Sequence, residues 1–323
     1  MARYVGEHLT RADPEYVRSA AGFAIGGVPP TGHPSAIPTY VDYDLLELGE
    51  VWAAAGHPHA VCRLTSRELL DLTHGHAVPV TPLAPHDPGL GPWVTFDCYG
   101  TLVDWRAGLL HQIERFKGAS SRTDHDRLFH AYVGEERRVE GGRYRPYREV
   151  MTEALLQLAR SEGFELSRSQ AAEAPESIPD WPPFPDTRPA LAELRQQGFR
   201  LAVLSNIDAD LLERTLEALG FRPDQVVTAQ EVGSYKPDPA HWIRFLKRSA
   251  AAPQDVWHVS ASYEHDVEPA QALGFRTVYV ERYGESPPGR KVGLSIRGLA
   301  DLPDKVRSDR SASSRSLPLD QRS

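Results

Sequence analysis

The stretch Trp93-Val94-Thr95-Phe96-Asp97-Cys98-Tyr99-Gly100-Thr101 decides the fold. It is a short apolar run that ends in a carboxylate and a glycine turn, a pattern typical of a buried strand. Helical patterns such as residues 188–197 and 210–219 separate further apolar runs. Those runs are Leu201-Ala202-Val203-Leu204, Val226-Val227-Thr228, Trp257-His258-Val259 and Thr277-Val278-Tyr279-Val280. Because strands alternate with helices, the sequence predicts an α/β fold with a doubly wound parallel sheet.

The rest of the 323-residue chain divides into segments around this sheet. Residues 107–163 hold helical patterns without a clear strand, so we expect an inserted helical cap over about 107–183. Residues 82–92 are dense in proline and glycine, which predicts a linker. Residues 304–323 are polar and serine-rich, which predicts a disordered tail. The main domain is therefore expected over 93–303, after a small α+β segment over 1–81.

Local patterns in that N-terminal segment predict its elements. Residues 51–55 and 60–64 are predicted to be two short strands joined by the turn Gly56-His57-Pro58-His59. Thr65 and Glu68 form a capping box, so a short helix is expected to begin there.

Composition excludes several classes of protein. No apolar run approaches the ~18 residues of a membrane helix, and the N-terminus lacks the layout of a secretory signal. The two cysteines, Cys62 and Cys98, form no CxxC pair, which favours a reducing cytoplasm over a disulfide framework. The formal net charge of -8 disfavours nucleic acid as a partner.

Polar side chains follow four of the predicted strands. They are Asp97 with Thr101, the pair Ser205-Asn206, Lys236 before a proline, and Asp266. Carboxyl ends of parallel strands gather at one edge of a sheet, and a carboxylate there can act as a covalent nucleophile. Each residue alone also fits a helix cap, a turn or a solvated charge, and only the ordered set is specific.

This ordered set resembles the haloacid dehalogenase superfamily over about residues 93–303. Residues 144–148 and 181–186 also resemble its type II haloacid dehalogenase branch. The resemblance implies that Asp97 is the nucleophile and that Lys236 neutralises charge beside it. It implies that Asp266 orients the nucleophile or a water. Substrate contacts are implied for Tyr99, Thr101, Ser205 and Asn206.

Tyr99 distinguishes the reactions of this superfamily. Its phosphatases usually carry a second Asp at this position, which protonates the leaving alcohol. A tyrosine titrates near ~10 and is a poor acid–base group for that role at pH 7. Halide leaves without a proton, so Tyr99 favours hydrolysis of a carbon–halogen bond in a small acid. A phosphatase on the same scaffold is the alternative.

Some positions depart from the family pattern. Ala261 and Tyr263 stand where the best-known dehalogenases have Ser and Asn. Arginines that could hold a substrate carboxylate, with Arg106 and Arg145 preferred, are Arg106, Arg138, Arg143, Arg145 and Arg148. No cofactor is required. If Mg²⁺ binds, its expected neighbours are Asp97, the Tyr99 carbonyl, Glu264 and Asp266. A small acidic molecule is the expected partner, and a homodimer is left open.

The N-terminal segment carries a resemblance of its own. Residues 22–33, 41–42 and 51–56 resemble the YbaK/prolyl-tRNA-synthetase-associated editing domain, which hydrolyses mischarged aminoacyl-tRNA. The match covers about 13–80, half of that domain, and lacks its key lysine because the first lysine is Lys117. We therefore expect an appendage, with tRNA deacylation as a third alternative. The His57/His59 and His74/His76 pairs are weak indications of a metal.

Overall fold

The computed structural model describes residues 9–46, 48–80, 91–118, 124–283 and 292–315, with side chains described to residue 308. The predicted linker lies mostly outside this set, and only Gly91 and Pro92 are described. In the described residues, no helix is both long enough and apolar enough to span a membrane.

The N-terminal unit contains two small sheets. Its elements are α1 (Pro14–Ala21), β1 (Tyr40–Asp42), α2 (Tyr43–Leu46), β2 (Val51–Ala54), β3 (Val61–Leu64), α3 (Ser66–Thr73) and β4 (His76–Val78). Strands β2 and β3 pair antiparallel, as predicted, and β1 pairs parallel with β4. The capping box is confirmed, because the Thr65 hydroxyl accepts from the Glu68 N–H and the Glu68 carboxylate accepts from the Thr65 N–H.

A six-stranded parallel sheet forms the centre of the second unit. In chain order its strands are β5 (Trp93–Phe96), β6 (Arg200–Ser205), β7 (Gln225–Thr228), β8 (Val256–Ser260), β9 (Arg276–Val280) and β10 (Leu294–Ile296). Their order across the sheet is β10-β9-β8-β5-β6-β7. The chain winds outward from β5 in one direction and then returns to wind in the other. This confirms the doubly wound parallel sheet.

The sequence analysis identified five of these strands and missed β10. That strand has only three residues, with Ser295 between two apolar ones, so its pattern is too short to distinguish from a loop. It pairs with β9 in parallel register and closes one edge of the sheet.

Helices fill the interval after β5, as expected for an inserted cap. They are α4 (Trp105–Lys117), α5 (His125–Glu140), α6 (Tyr147–Glu162) and α7 (Arg168–Glu173), followed by a 3₁₀ segment over Ala174–Asp180. Apolar residues of α6, among them Val150, Met151 and Leu155, are fully buried. The apolar residues of the cap therefore belong to the same buried cluster as those on one side of the sheet.

The remaining helices flank the sheet. They are α8 (Thr187–Gln196), α9 (Ala209–Leu219), α10 (Ala229–Val232), α11 (Ala240–Ser249), α12 (Glu268–Ala272) and α13 (Leu302–Arg315). The prediction of disorder from residue 304 is wrong up to Arg315. Leu302 and Val306 lie one helical turn apart and are both fully buried, so the start of α13 packs on the core. Residues 316–323 lie outside the described set.

The two units share an apolar cluster. Val41, Tyr43 and Leu46 of the N-terminal unit belong to the same buried cluster as residues of α11 and the sheet, including Trp242 and Phe245. Two polar contacts also join the units. Lys247 donates to Asp44 at 2.6 Å, and Arg67 donates to the Pro237 carbonyl at 2.9 Å. The N-terminal unit therefore covers apolar surface of the second unit.

Candidate active site

The site forms at the carboxyl end of β5, where the winding of the sheet reverses. Neighbouring strands β6 and β8 lie on either side of β5, so the loops after these three strands meet. A crevice at such a switch point is where open α/β sheets bind ligands. Asp97 is the first residue after β5, and its N–H donates to the Val259 carbonyl of β8 at 3.0 Å.

A tight turn holds the Asp97 side chain. Gly100 adopts φ +93°, a left-handed conformation that favours glycine. The turn brings Thr101 back beneath Asp97, so that the Thr101 hydroxyl donates to Asp97 Oδ2 at 2.8 Å. The same hydroxyl accepts from the Ala261 N–H at 3.0 Å. Thr101 is fully buried and does not line the cavity, so its hydroxyl is placed to position Asp97.

Lys236 joins the two acidic residues. Its ammonium donates to Asp97 Oδ1 at 2.8 Å, to Asp266 Oδ1 at 2.7 Å and to the Leu204 carbonyl at 3.0 Å. All three of its donors are used, and the residue is 2% exposed. The ammonium therefore pairs with both buried carboxylates, and either charge would be strongly disfavoured there without a partner.

Burial and charge oppose one another in this triad. Burial raises the pKa of Asp97, whereas the ammonium of Lys236 lowers it. At Asp266, burial is outweighed by Lys236 and His258, and the pKa is held below its usual range. At Lys236, burial is outweighed by the two carboxylates, so its pKa is raised and it remains an ammonium.

His258 is part of this network and was not identified as a site residue from the sequence. It is fully buried in β8, with Nε2 3.0 Å from Asp266 Oδ1 and Nδ1 2.8 Å from the Thr95 hydroxyl. The only sequence signal is a polar residue inside an apolar strand, which usually has a structural role. His258 fixes the side chain of Asp266 from behind.

Ser205 and Asn206 follow β6 and play different roles. Asn206 Oδ1 accepts from the Lys236 N–H at 2.7 Å, and Asn206 Nδ2 donates to the Lys236 carbonyl at 3.2 Å. Its amide therefore fixes the backbone at Lys236. Ser205 is among the residues that line the cavity, and its hydroxyl oxygen is buried without a hydrogen-bond partner among the described residues.

The Tyr99 hydroxyl is committed to a structural contact. It lies 2.7 Å from the Thr215 hydroxyl, while the ring lines the cavity. Burial raises the pKa of Tyr99 well above its usual value. Tyr99 therefore offers an aromatic wall and no proton-transfer group.

Of the five candidate arginines, the structure places only Arg106 at the cavity. Arg106 lines the cavity, packs over the Phe129 ring and pairs with the exposed Asp126. Arg145 does not line it and donates to the Val139 carbonyl at 3.2 Å. Arg137, which the sequence analysis did not select, does line it and pairs with Glu264 at 3.2 Å. Arg106 is therefore the best placed of the five candidates to meet a substrate carboxylate.

A cavity of about 510 Å³ lies between the cap and the sheet edge. Its floor contains Asp97, Ser205, Lys236 and Asp266, and Ala261 and Ser262 of the fourth motif also line it. The cap contributes aromatic and acidic residues that the sequence analysis did not single out. These are Trp105, Phe129, Glu136, Glu140, Tyr147 and Trp181.

The donor set fits Mg²⁺ poorly. Asp97 and Asp266, the carboxylates expected to bind it, already share the Lys236 ammonium, and Glu264 pairs with Arg137. A cation between the two aspartates would be repelled by that ammonium. Within the described ranges, no group of three or more His, Cys, Asp or Glu could hold a metal ion, including the histidine pairs near residues 57 and 74.

Comparisons with known proteins agree with this architecture. Residues 93–274 match the family described as haloacid dehalogenase-like hydrolase, and residues 2–72 match the aminoacyl-tRNA editing domain. Both family resemblances noted in the sequence are thereby confirmed.

Individual relatives include both reaction types. The chain is 29% identical over 193 residues to (S)-2-haloacid dehalogenase 1 of Pseudomonas sp. (strain CBS-3), covering 58% of this chain and 83% of that protein. It is 30% identical over 125 residues to a glyceraldehyde 3-phosphate phosphatase of Methanopyrus kandleri, covering 38% and 51%. The L-2-haloacid dehalogenase structure from Xanthobacter autotrophicus superposes with a TM-score of 0.58 at 24% identity, covering 67% of this chain and 98% of that one.

Proposed function

Because the chain belongs to the haloacid dehalogenase-like hydrolase family, we propose that this hydrolase cleaves the carbon–halogen bond of a small 2-haloacid. The observation that carries this proposal concerns Asp97 and Tyr99. Asp97 is held as a buried nucleophile, and Tyr99, at the position of the phosphatase acid, cannot donate a proton to a leaving group. Asp97 is held by Lys236 and Thr101, and the Tyr99 hydroxyl is bonded to Thr215.

The reaction proceeds in two displacements. A carboxylate oxygen of Asp97 attacks the carbon that bears the halogen, and the halide leaves with the bonding electron pair. Water then attacks the carboxyl carbon of the resulting ester, which releases the hydroxyacid and restores Asp97. One proton of that water passes to His265, a cavity residue whose Nδ1 lies 3.1 Å from the Ser262 hydroxyl and whose pKa is lowered by burial. His265 then gives a proton to the oxygen of the departing hydroxyacid, and the second proton of the water leaves to solvent as the Asp97 carboxylate re-forms.

The remaining residues supply charge and orientation. The Lys236 ammonium stabilises negative charge on the Asp97 carboxyl group during both steps. Arg106 holds the carboxylate of the substrate, and the Ser205 hydroxyl donates to the halogen or carboxylate. No metal or other cofactor takes part in this scheme.

A phosphatase is the second candidate, since relatives of that type match part of the chain. Its leaving alcohol needs a proton, and Tyr99 does not supply one. The editing-type N-terminal region has no lysine before Lys117, and we propose no aminoacyl-tRNA hydrolysis there.

Isotope labelling tests the proposal. The full chain is incubated with 2-chloropropionate in H₂¹⁸O, and peptides that contain Asp97 are examined by mass spectrometry. We expect halide release and ¹⁸O in the Asp97 carboxylate, because water attacks that group and not the substrate carbon.

The control is Asp97→Asn, which should release no halide because an amide is a poor nucleophile. A parallel panel of phosphate esters, with Mg²⁺ or a chelator, tests the second candidate. Label found only in the product hydroxyl group, or full activity of Asp97→Asn without deamidation, would refute the ester mechanism.

A further inference from the structure

The N-terminal unit contacts the loop that carries Lys236. This loop, residues 233–239, runs from the end of α10 to the start of α11. Arg67 of α3 donates from Nη1 to the carbonyl of Pro237, the residue directly after Lys236, at 2.9 Å. The two partners are 170 positions apart in the chain, so only the docking of the two units brings them together. A side chain from outside the second unit therefore holds the backbone beside the central cation of the site.

Two features of α3 fix the position of Arg67. Asp71 lies one helical turn further along α3 and pairs with Arg67 Nε at 3.2 Å. On the buried side of the same helix, Leu69 belongs to the apolar cluster that includes Trp242 of α11. The cluster holds α3 against α11, and the ion pair with Asp71 holds the guanidinium where its Nη1 meets the Pro237 carbonyl.

The second unit holds the same loop on either side of this contact. Asn206 accepts from the Lys236 N–H at 2.7 Å and donates to the Lys236 carbonyl at 3.2 Å. Asp238 Oδ1 accepts from the first N–H of α11 at 3.0 Å, which joins the end of the loop to that helix. Pro237 lies between these two attachments. The hydrogen bond from Arg67 therefore fixes the stretch of backbone between them.

The position of this backbone matters because the Lys236 ammonium has three fixed partners. It donates to Asp97 at 2.8 Å, to Asp266 at 2.7 Å and to the Leu204 carbonyl at 3.0 Å. A misplacement of ~1 Å at a reacting centre can cost ~100-fold in rate. A shift of Pro237 passes to Lys236 through the peptide bond that joins them.

We propose that Arg67 is a positioning residue for this site, and that the N-terminal unit supports hydrolysis by fixing the backbone beside Lys236. The inference rests on the proposed function and assigns a part in it to the appended unit. No described residue of that unit lines the cavity, so its effect must act through the loop. Lys247 and Asp44 also join the units, but at the last turn of α11, away from the loop. Arg67 and Lys247 thus separate positioning of the loop from docking of the units.

Substitution of Arg67 by alanine in the full chain tests the proposal. The side chain is 46% exposed, so its removal leaves no buried cavity and the variant should fold. With 2-chloropropionate we expect kcat to fall about three- to ten-fold, the range for loss of one hydrogen bond. KM should change less than twofold, because Arg106 of the cap, which holds the substrate carboxylate in the proposed mechanism, is unaltered.

Hydrogen exchange gives a readout that does not require turnover. Mass spectrometry follows the amides of a peptide that spans residues 233–241. The Lys236 N–H is bonded to Asn206 in the native loop, and its exchange reports how often the loop opens. We expect exchange in this peptide to be about three- to ten-fold faster in Arg67→Ala than in the wild type.

Two substitutions serve as controls. Arg63→Ala removes an arginine of the same unit that pairs with Glu50 of that unit. Lys247→Ala removes the docking contact with Asp44. Both should leave kcat, KM and exchange of the loop unchanged.

Wild-type kcat or wild-type exchange in Arg67→Ala would overturn the proposal. An equal fall in kcat in Lys247→Ala would also overturn it, because docking alone would then account for the effect. If the wild type turns over no haloacid, the proposed function fails and exchange alone decides. Faster exchange confined to Arg67→Ala then supports the positioning role, whereas exchange that is unchanged, or equally fast in Lys247→Ala, refutes it.

Discussion

Replacement of Lys236 by alanine tests the charge arrangement at the centre of the site. The substitution removes the ammonium that lies 2.8 Å from Asp97 and 2.7 Å from Asp266 and leaves two buried carboxylates without a partner. Loss of one preorganised charge typically raises a reaction barrier by ~3 kcal/mol, so we expect kcat/KM to fall by ~100-fold or more. Breaking a buried ion pair costs ~3–5 kcal/mol of stability, which corresponds to a fall in Tm of ~10 °C.

The pH dependence provides a second readout. In the proposed mechanism Asp97 reacts as a carboxylate, so we expect activity to be lost as pH falls through its pKa. Burial already raises that pKa, and the Lys236 ammonium opposes the rise. In Lys236→Ala the ammonium no longer lowers the pKa of Asp97, while the charge of Asp266 still raises it. The acid limb of the kcat/KM profile should therefore move to higher pH.

Halide release measured below the Tm of the variant, across pH 4 to 9, provides the assay. The control is Lys247→Ala, which removes a lysine that pairs with Asp44 at the border between the two units. It should leave kcat/KM and the acid limb unchanged. If Lys236→Ala retained kcat/KM within twofold of the wild type and an unshifted acid limb, Lys236 would be structural and the reasoning would be wrong.

Two further substitutions test the environment of the site. Tyr99→Phe should leave kcat within about threefold and lower stability by ~1 kcal/mol, because it removes only the hydrogen bond to Thr215. A loss of activity above 100-fold, measured in the same halide assay, would contradict the structural role of that hydroxyl. Leu46→Ala, at a residue 4% exposed in the shared cluster, should cost ~2–5 kcal/mol in a calorimetric scan. The unfolding transition of the whole chain should shift to lower temperature. A shift confined to a separate N-terminal unfolding transition would show that the units do not share a core.

The sequence alone could predict which residues form the floor of the candidate site. Asp97, Lys236 and Asp266 each follow a recognisable strand or precede a proline turn, and parallel strands end at a common edge. Their convergence follows from topology, so it could be inferred without coordinates. The roles of Thr101 and Asn206 could not, because residue type does not reveal whether a hydroxyl or amide faces the cavity or another part of the chain.

The acidic residues of the cap helix α5 show a second limit of prediction from sequence. Residues 135–140 read Glu-Glu-Arg-Arg-Val-Glu, which resembles a solvated helix surface. Helical spacing places Glu136 and Glu140 on one face, but it does not say which face packs against the sheet. Only the packing of α5 on α6 and over the crevice shows that Glu136 is buried and that both glutamates line the cavity.

What the sequence determined by itself was the order of strands and helices, the doubly wound topology and the capping box of α3, since these depend on residues close together in the chain. Tertiary structure decided the rest. It ordered the first turns of α13 through Leu302 and Val306, added the short strand β10, and joined the N-terminal unit to α11 through one apolar cluster. Each of these outcomes depends on surface buried between segments distant in sequence, and local propensity carries no information about that burial.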